Sequence, residues 1–364
     1  MSEVRRGSGD AMRLPMDTRI VADVDTGIDD ACALSWLVGT AYVDLVACSV
    51  VSGNTTAESA ARNTAAVLDA CGATHVPVVV GRAEPLRVPL VTTPETHGPT
   101  GLGYAKVPEM PDRISDEDFL AVWARALDDP TPFYYGGQRP PVVLLLTGPL
   151  TNLAVALEHD PDLVDRFDRI VIMGGAFGHP GNTTELAEWN TWCDPDAAQR
   201  FAHFAGKPVE RLPVVCGLNV TETIEMHPAH LRGYCSSAGV PEPRLRPGEV
   251  EEYTAGLPVF ELLANALQFY FQFHLDHEGA YTVHLHDLLA ASIAGGAVSF
   301  EATPSAIRVG VDGDDRGATL QVEGPASALI VDRVDPGEVF VSWGRALRNL
   351  GSVSYTHLRA HETE

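Results

Sequence analysis

Lysine is almost missing from this chain. Only Lys106 and Lys207 accompany 23 arginines among 364 residues, and the net charge is −24. A surface so negative argues against partners such as nucleic acid or an anionic membrane. No apolar run approaches the roughly 18 residues of a membrane span. The opening stretch, MSEVRRGSGDAMRLPMD, has basic residues but no apolar segment of the signal-peptide kind. Residues 1–18 are expected as a disordered lead-in. There is also no CxxC pair among the six cysteines, Cys32, Cys48, Cys71, Cys193, Cys216 and Cys235. Their apolar surroundings read as small buried hydrophobes in a reducing cytoplasm.

What is present is enough apolar residue, 45% of the chain, for a sizeable core. Strand-like and helix-like segments alternate with short Gly/Pro punctuation. That pattern predicts an α/β fold: a Rossmann-like open, mostly parallel sheet flanked by helices. Strands are expected at 19–24, 43–51, 76–80, 141–146, 169–173 and 212–216, with a strand pair within 306–331. Helices are expected at 31–38, from Thr55 to Ala70 behind a Thr55/Glu58 capping box, and at 116–127, 152–158, 196–204, 262–274, 288–294 and 342–350. The stretch from Arg82 to Pro111 is long and aperiodic, as lids and binding loops are. Residues 236–249 read as a surface excursion. One domain, 19–351, is expected, and residues 352–364, SVSYTHLRAHETE, look non-native.

The densest chemistry lies in RIVADVDTGIDDACAL, residues 19–34. Asp23, Asp25, Asp29 and Asp30 crowd a strand-to-helix turn. Asp23 and Asp25 share a strand face, and Asp29 and Asp30 occupy a first helical turn. One such aspartate could simply cap the helix. Four would repel one another, and a hard cation with oxygen ligands, Ca²⁺ or Mg²⁺, relieves that. Asn54, Thr147, Met173 and His286-Asp287 also fall at strand ends or helix starts, where open α/β sheets bind ligands.

Taken in order, these segments resemble a known family, the calcium-dependent nucleoside hydrolases of the inosine–uridine-preferring type. The matching motifs are DVDTGIDDACAL from Asp23, VSGNTTAESAARNT from Val51, the HG of His97, LLTGPLTNLA from Leu145, IVIMGGA from Ile170, GNTTELAEWNTWCDPDAA from Gly181 and HDLLA from His286. The resemblance implies hydrolysis of the N-glycosidic bond of a ribonucleoside to free base and ribose. It implies a Ca²⁺ site at Asp25, Asp30, the Thr147 carbonyl and Asp287. Asp25 would also be the general base and His286 the acid for the departing base. Asp29, Asn54, Met173, Asn182, Glu188 and Asn190 would hold ribose, with His97 against the base. A homodimer or homotetramer is expected on the same ground. Thr26 departs from the family's usual proline and Asn219 from its common aspartate.

Other readings compete. Asp23-Val24-Asp25 resembles the nucleophile motif of haloacid-dehalogenase-type phosphatases, but Gly27 stands where that motif needs Thr or Val. An EF-hand loop from Asp23 would need an acid where Leu34 stands. A protein of the same fold that binds a nucleoside or calcium without cleavage is a third reading. Asp194 before Pro195 reads as a structural cap, His274, His277 and His284 as structural, and Asp23 as support behind the ligands.

Overall fold

The computed structural model describes residues 11–129 and 139–361. Its strands are β1 (Thr18–Val24), β2 (Val43–Val50), β3 (Val78–Val80), β4 (Ile114–Ser115), β5 (Val142–Leu146), β6 (Arg169–Met173), β7 (Val214–Cys216), β8 (Glu225–Met226), β9 (Val283–His284), β10 (Phe300–Val309), β11 (Thr319–Val322) and β12 (Ala328–Val334). Ten of them form one sheet in the order β11-β10-β12-β7-β6-β5-β1-β2-β3-β4. The predicted class holds. From β4 through β1 to β7 and on to β12 every pairing is parallel. β10 runs antiparallel to both of its neighbours. Every residue of β1 is buried, as expected of a central parallel strand covered on both faces. Strand order reverses on either side of β1, so the crevice beyond β1 and β5 is the expected ligand position.

Several boundaries differ from expectation. The expected strand pair within 306–331 is three strands, because β12 crosses back to join β7. The helix Ala57–Ala70 is capped by Thr56, whose Oγ1 accepts from Ser59 N–H at 3.2 Å, and not by Thr55. The aromatic helix runs from Pro258 to Glu278, and the helix Pro228–Ala238 occupies residues not expected to be helical. The small sheet of β8 and β9 was also not expected. Glycine and proline density marked residues 236–249 as a surface excursion, whereas the helix Pro228–Ala238 runs into its start.

Of the expected lead-in, residues 1–10 lie outside the described residues. Met12 pairs with Phe300, and Leu14 is buried. The backbone of the last helix, Pro336–His361, continues into the expected tail, whose residues 362–364 lie outside the described residues. Among the described residues, no helix is long and apolar enough to cross a membrane.

Candidate active site

The turn after β1 is held by its own side chains. Asp30, in the first turn of helix Ile28–Gly39, accepts the Gly27 N–H at 2.8 Å on Oδ2. Its Oδ1 accepts from the Thr147 hydroxyl at 2.7 Å, which ties the ends of β1 and β5 together. Asp25 Oδ2 accepts the Asn54 N–H at 2.6 Å. Asp23 takes the Ser49 hydroxyl and the Asn152 amide on Oδ1, a supporting position behind the cluster. Thr26 costs the turn nothing visible, since its hydroxyl meets that of Thr64 at 2.7 Å.

Asp25, Asp29, Asp30 and Asp287 are all buried. One oxygen each of Asp29, Asp30 and Asp287 lies within 4.8 Å of the others. At that separation each ionised pair repels by about 3–4 kcal/mol with an effective dielectric near 20. Burial and the neighbouring carboxylates push Asp25 and Asp287 well above the usual carboxylate range. Burial, then Asp30, raises Asp29 to about 7. Asp25 Oδ1 and Asp29 Oδ1 are buried with no hydrogen-bond partner. Among the described residues, no lysine or arginine lines the adjoining cavity. An all-oxygen donor set with unpartnered atoms and uncompensated charge fits a hard cation. This trio includes Asp29, which the resemblance had assigned to ribose, and not Asp25.

Next to this cluster opens a cavity of about 460 Å³, and it gathers most of the expected residues. Asp29, Asn54, His97, Thr147, Met173, Asn182, Glu188, Asn190, His286 and Asp287 all line it. Asp25 and Asp30 do not, and lie buried behind its wall. Asn190 Nδ2 donates to the Thr147 carbonyl at 2.7 Å, leaving that oxygen a second lone pair. Met173 Sδ packs 3.4 Å from the same amide nitrogen. Asn182 is exposed, and its Oδ1 accepts from Trp189 N–H at 2.9 Å.

Glu188 has a structural task that sequence did not suggest. It caps the helix Trp189–Cys193, accepting Asn190 N–H on Oε1 and the Gly175 and Thr191 N–H groups on Oε2, at 2.8, 2.9 and 3.0 Å. Asp194 is the cap it was read to be, accepting from Ala197 and Leu86 N–H and from the Thr151 hydroxyl.

The far end of the cavity is aromatic. Tyr270, Phe273, His274 and His277 recur at 3.6-residue spacing and present one face of helix Pro258–Glu278 to the cavity. His274, His277 and His284, read from sequence as structural, all line the cavity, as do Tyr270 and Phe273, which the sequence reading did not single out. Nor did it single out Thr221, whose Oγ1 meets His286 Nδ1 at 2.8 Å. The β8–β9 pairing brings the two segments together. Burial, followed by His284, His274 and His97, holds the His286 ring far below its ordinary value and favours its neutral form.

A sequence profile of the inosine-uridine preferring nucleoside hydrolases matches residues 20–341. The chain belongs to this family. It is an N-glycosyl hydrolase that acts on ribonucleosides. The pyrimidine-specific ribonucleoside hydrolase RihA of Salmonella paratyphi A is 31% identical over 270 residues, 74% of this chain and 76% of that protein. RihA of Escherichia coli strain SMS-3-5 matches to the same extent. Among solved structures, a purine-preferring ribonucleoside hydrolase from Gardnerella vaginalis superposes with a TM-score of 0.75 at 24% identity, over 92% of this chain and 99% of its own. That likeness speaks for the fold. Family membership removes the phosphatase and EF-hand readings.

Proposed function

We propose that this hydrolase cleaves its nucleoside with a water activated beside a Ca²⁺ ion at the aspartate cluster. Asp25, Asp30, Asp287 and the Thr147 carbonyl would hold the ion, with Asp29 close enough to share it. When bound, such a cation supplies charge that orients and acidifies the attacking water. The observation that carries the reading is the unpartnered Asp25 Oδ1 inside a buried, uncompensated carboxylate cluster. That oxygen is free to take a proton from water while Oδ2 stays fixed by Asn54. Asp29, Asn54, Asn190 and Asn182 offer the donors and acceptors that ribose hydroxyls need, and Met173 packs on the sugar. Glu188 shapes the same wall through its cap. The carboxylates stabilise the positive charge that builds on the ribosyl ring.

His286 stands where a leaving base can be protonated. Neutral at rest, it gains proton affinity as negative charge accumulates on the base beside it, takes up a proton from solvent and passes that proton to the base, which returns the ring to its neutral form. His97 faces the base. The test is release of free base and ribose from inosine, adenosine, guanosine, uridine and cytidine, assayed side by side. Activity lost to a chelator and restored by Ca²⁺ is expected. Turnover that survives metal removal would overturn the cation's part. The panel also decides base preference, for which the similar RihA proteins, named as pyrimidine-specific, favour uridine and cytidine. Free, buried cysteines accord with a cytoplasmic setting. Light scattering decides the expected homodimer or homotetramer.

A further inference from the structure

We propose that Asn63 is a positioning residue that couples the aspartate turn to the loop 98–105, so that a cation held at the turn orders the loop. This rests on the reading of the aspartate cluster as a cation site and adds a link between that cluster and the segment after His97.

Asn63 lies inside helix Ala57–Ala70 and is fully buried. Asparagine is a poor former of helix interiors, so its presence there calls for another reason. Its Nδ2 donates to two carbonyls of distant segments, Thr26 O at 3.0 Å and Thr100 O at 2.8 Å. A carbonyl can only accept, so both neighbours face the NH₂ end and use both of its hydrogens. The opposite atom, Oδ1, is buried with no hydrogen-bond partner. An apolar residue would remove that orphan oxygen and leave two carbonyls without their donor.

Thr26 is the link to the cluster. It follows Asp25 directly, and its hydroxyl meets that of Thr64, the next residue on the same helix, at 2.7 Å. Thr64 Oγ1 donates its own proton to Ala60 O at 2.7 Å, which makes Thr26 the donor between the two hydroxyls. Residue 26 is thus held by its carbonyl at Asn63 and by its hydroxyl at Thr64.

Thr100 is the link to the loop. Pro99 and Thr100 are exposed, so the Asn63 bond is an inward anchor of this stretch. Gly101 beside it has φ +91°, and a Cβ there would lie 2.6 Å from Asn63 Nδ2 and 3.4 Å from Thr26 O. Only a residue without a side chain lets the loop lie so close to that amide. From there the loop closes on itself: Gly101 N–H donates to Gly98 O at 3.1 Å and Gly103 N–H to His97 O at 2.7 Å. A separate tie, Ile28 N–H to His97 Nδ1 at 3.1 Å, holds the residue before the loop.

Without a cation, the carboxylates on either side of Thr26 repel one another. With one, the turn is fixed, and its order passes through a single amide to Thr100. A nucleoside then meets a loop that has less ordering left to do. By linkage, nucleoside binding tightens the hold on the cation by the same factor.

Hydrogen exchange of the full-length protein, read by mass spectrometry with and without Ca²⁺, tests the coupling. In the wild type, Ca²⁺ should slow exchange in fragments covering 24–34 and also in those covering 98–105. In Asn63→Leu it should slow the first and leave the second unchanged. Gly101→Ala attacks the same contact from the loop side and should also abolish the response of 98–105. Thr64→Val breaks the Thr26 hydroxyl contact alone and should keep that response. In kinetics, Asn63→Leu should raise KM for inosine or uridine about tenfold and change kcat less, because the substrate itself must order the loop. A response of 98–105 that survives in both Asn63→Leu and Gly101→Ala overturns the coupling. So does one lost equally in Thr64→Val, or a fall in kcat at unchanged KM. If the wild type binds Ca²⁺ by calorimetry and 98–105 does not respond, the coupling fails and the cation reading stands. If the wild type binds no Ca²⁺, the cation reading fails and takes the coupling with it.

Discussion

Asn54 grips Asp25 through the backbone: its N–H donates to Asp25 Oδ2 at 2.6 Å, while Oδ1 of the same carboxylate has no partner. The bond orients a group whose charge the surroundings oppose. Asp25→Asn keeps the shape but loses the proton acceptor and one negative charge. Turnover should fall by about 10²- to 10⁴-fold. The metal-free variant should melt at a higher temperature than wild type, because a repelling charge has gone. Thermal denaturation in chelator, followed by circular dichroism, checks the second half. A lower melting temperature would mean that Asp25 is not under the repulsion assigned to it.

Burial of the carboxylates sets an unusual dependence on pH. Asp23 and Asp29 both rise from 3.8 to about 7, chiefly through burial. The folded state then holds these protons more tightly than the unfolded chain does, so their ionisation destabilises the fold. Their unfavourable contribution is absent below about pH 4 and grows as pH rises towards about 7. The metal-free protein should accordingly have a higher urea midpoint near pH 5.5 than near pH 8. Added Ca²⁺ should raise the midpoint at pH 8 most, since it offsets the charge that ionisation exposes. Equal midpoints with and without the ion at pH 8 would argue against a cation at the cluster.

Gly53 is the closest approach in the site. A Cβ there would lie 2.1 Å from Asp25 Oδ2 and 2.7 Å from Pro149 Cδ. Gly53→Ala should push the carboxylate off the Asn54 amide, with a stability loss of about 1–3 kcal/mol. Activity should drop more than tenfold at temperatures where the variant remains folded. Denaturant titration alongside initial rates separates the two effects. An active Gly53→Ala would show that the Asp25 orientation is not needed.

The aspartate cluster and the parallel sheet were legible because each rests on local pattern: β-branched runs ending in carboxylates, followed by helical periodicity. The position of Thr147 was legible only as a strand end, and its hydroxyl bond to Asp30 required the β1–β5 pairing. Glu188 was read as a substrate contact; its capping of the short helix Trp189–Cys193, with a further bond from Gly175 N–H, was not legible, because that helix carries no periodicity to detect. Tyr270 and Thr221 were missed for different reasons. Tyr270 sits in an aromatic helix that reads equally well as core. Thr221 becomes relevant only through the two-stranded β8–β9 pairing, a contact between segments nearly 60 residues apart.

Thr221 makes the last of these relationships testable. Its hydroxyl is the one polar partner of His286 Nδ1 among the described residues, at 2.8 Å. Thr221→Val preserves the volume and removes that partner, leaving the ring free to turn and its tautomer unset. Loss of a hydrogen bond of this kind is worth about 0.5–1.5 kcal/mol, so kcat on nucleosides should fall several-fold to about tenfold. KM should change little, because Thr221 is not among the residues lining the cavity. p-Nitrophenyl riboside, whose p-nitrophenolate departs without a proton, should be cleaved at close to the wild-type rate. If Thr221→Val slows both substrates alike, the residue supports the fold and not the orientation of His286. If only KM rises, the histidine is a binding group, and the leaving base takes its proton from elsewhere.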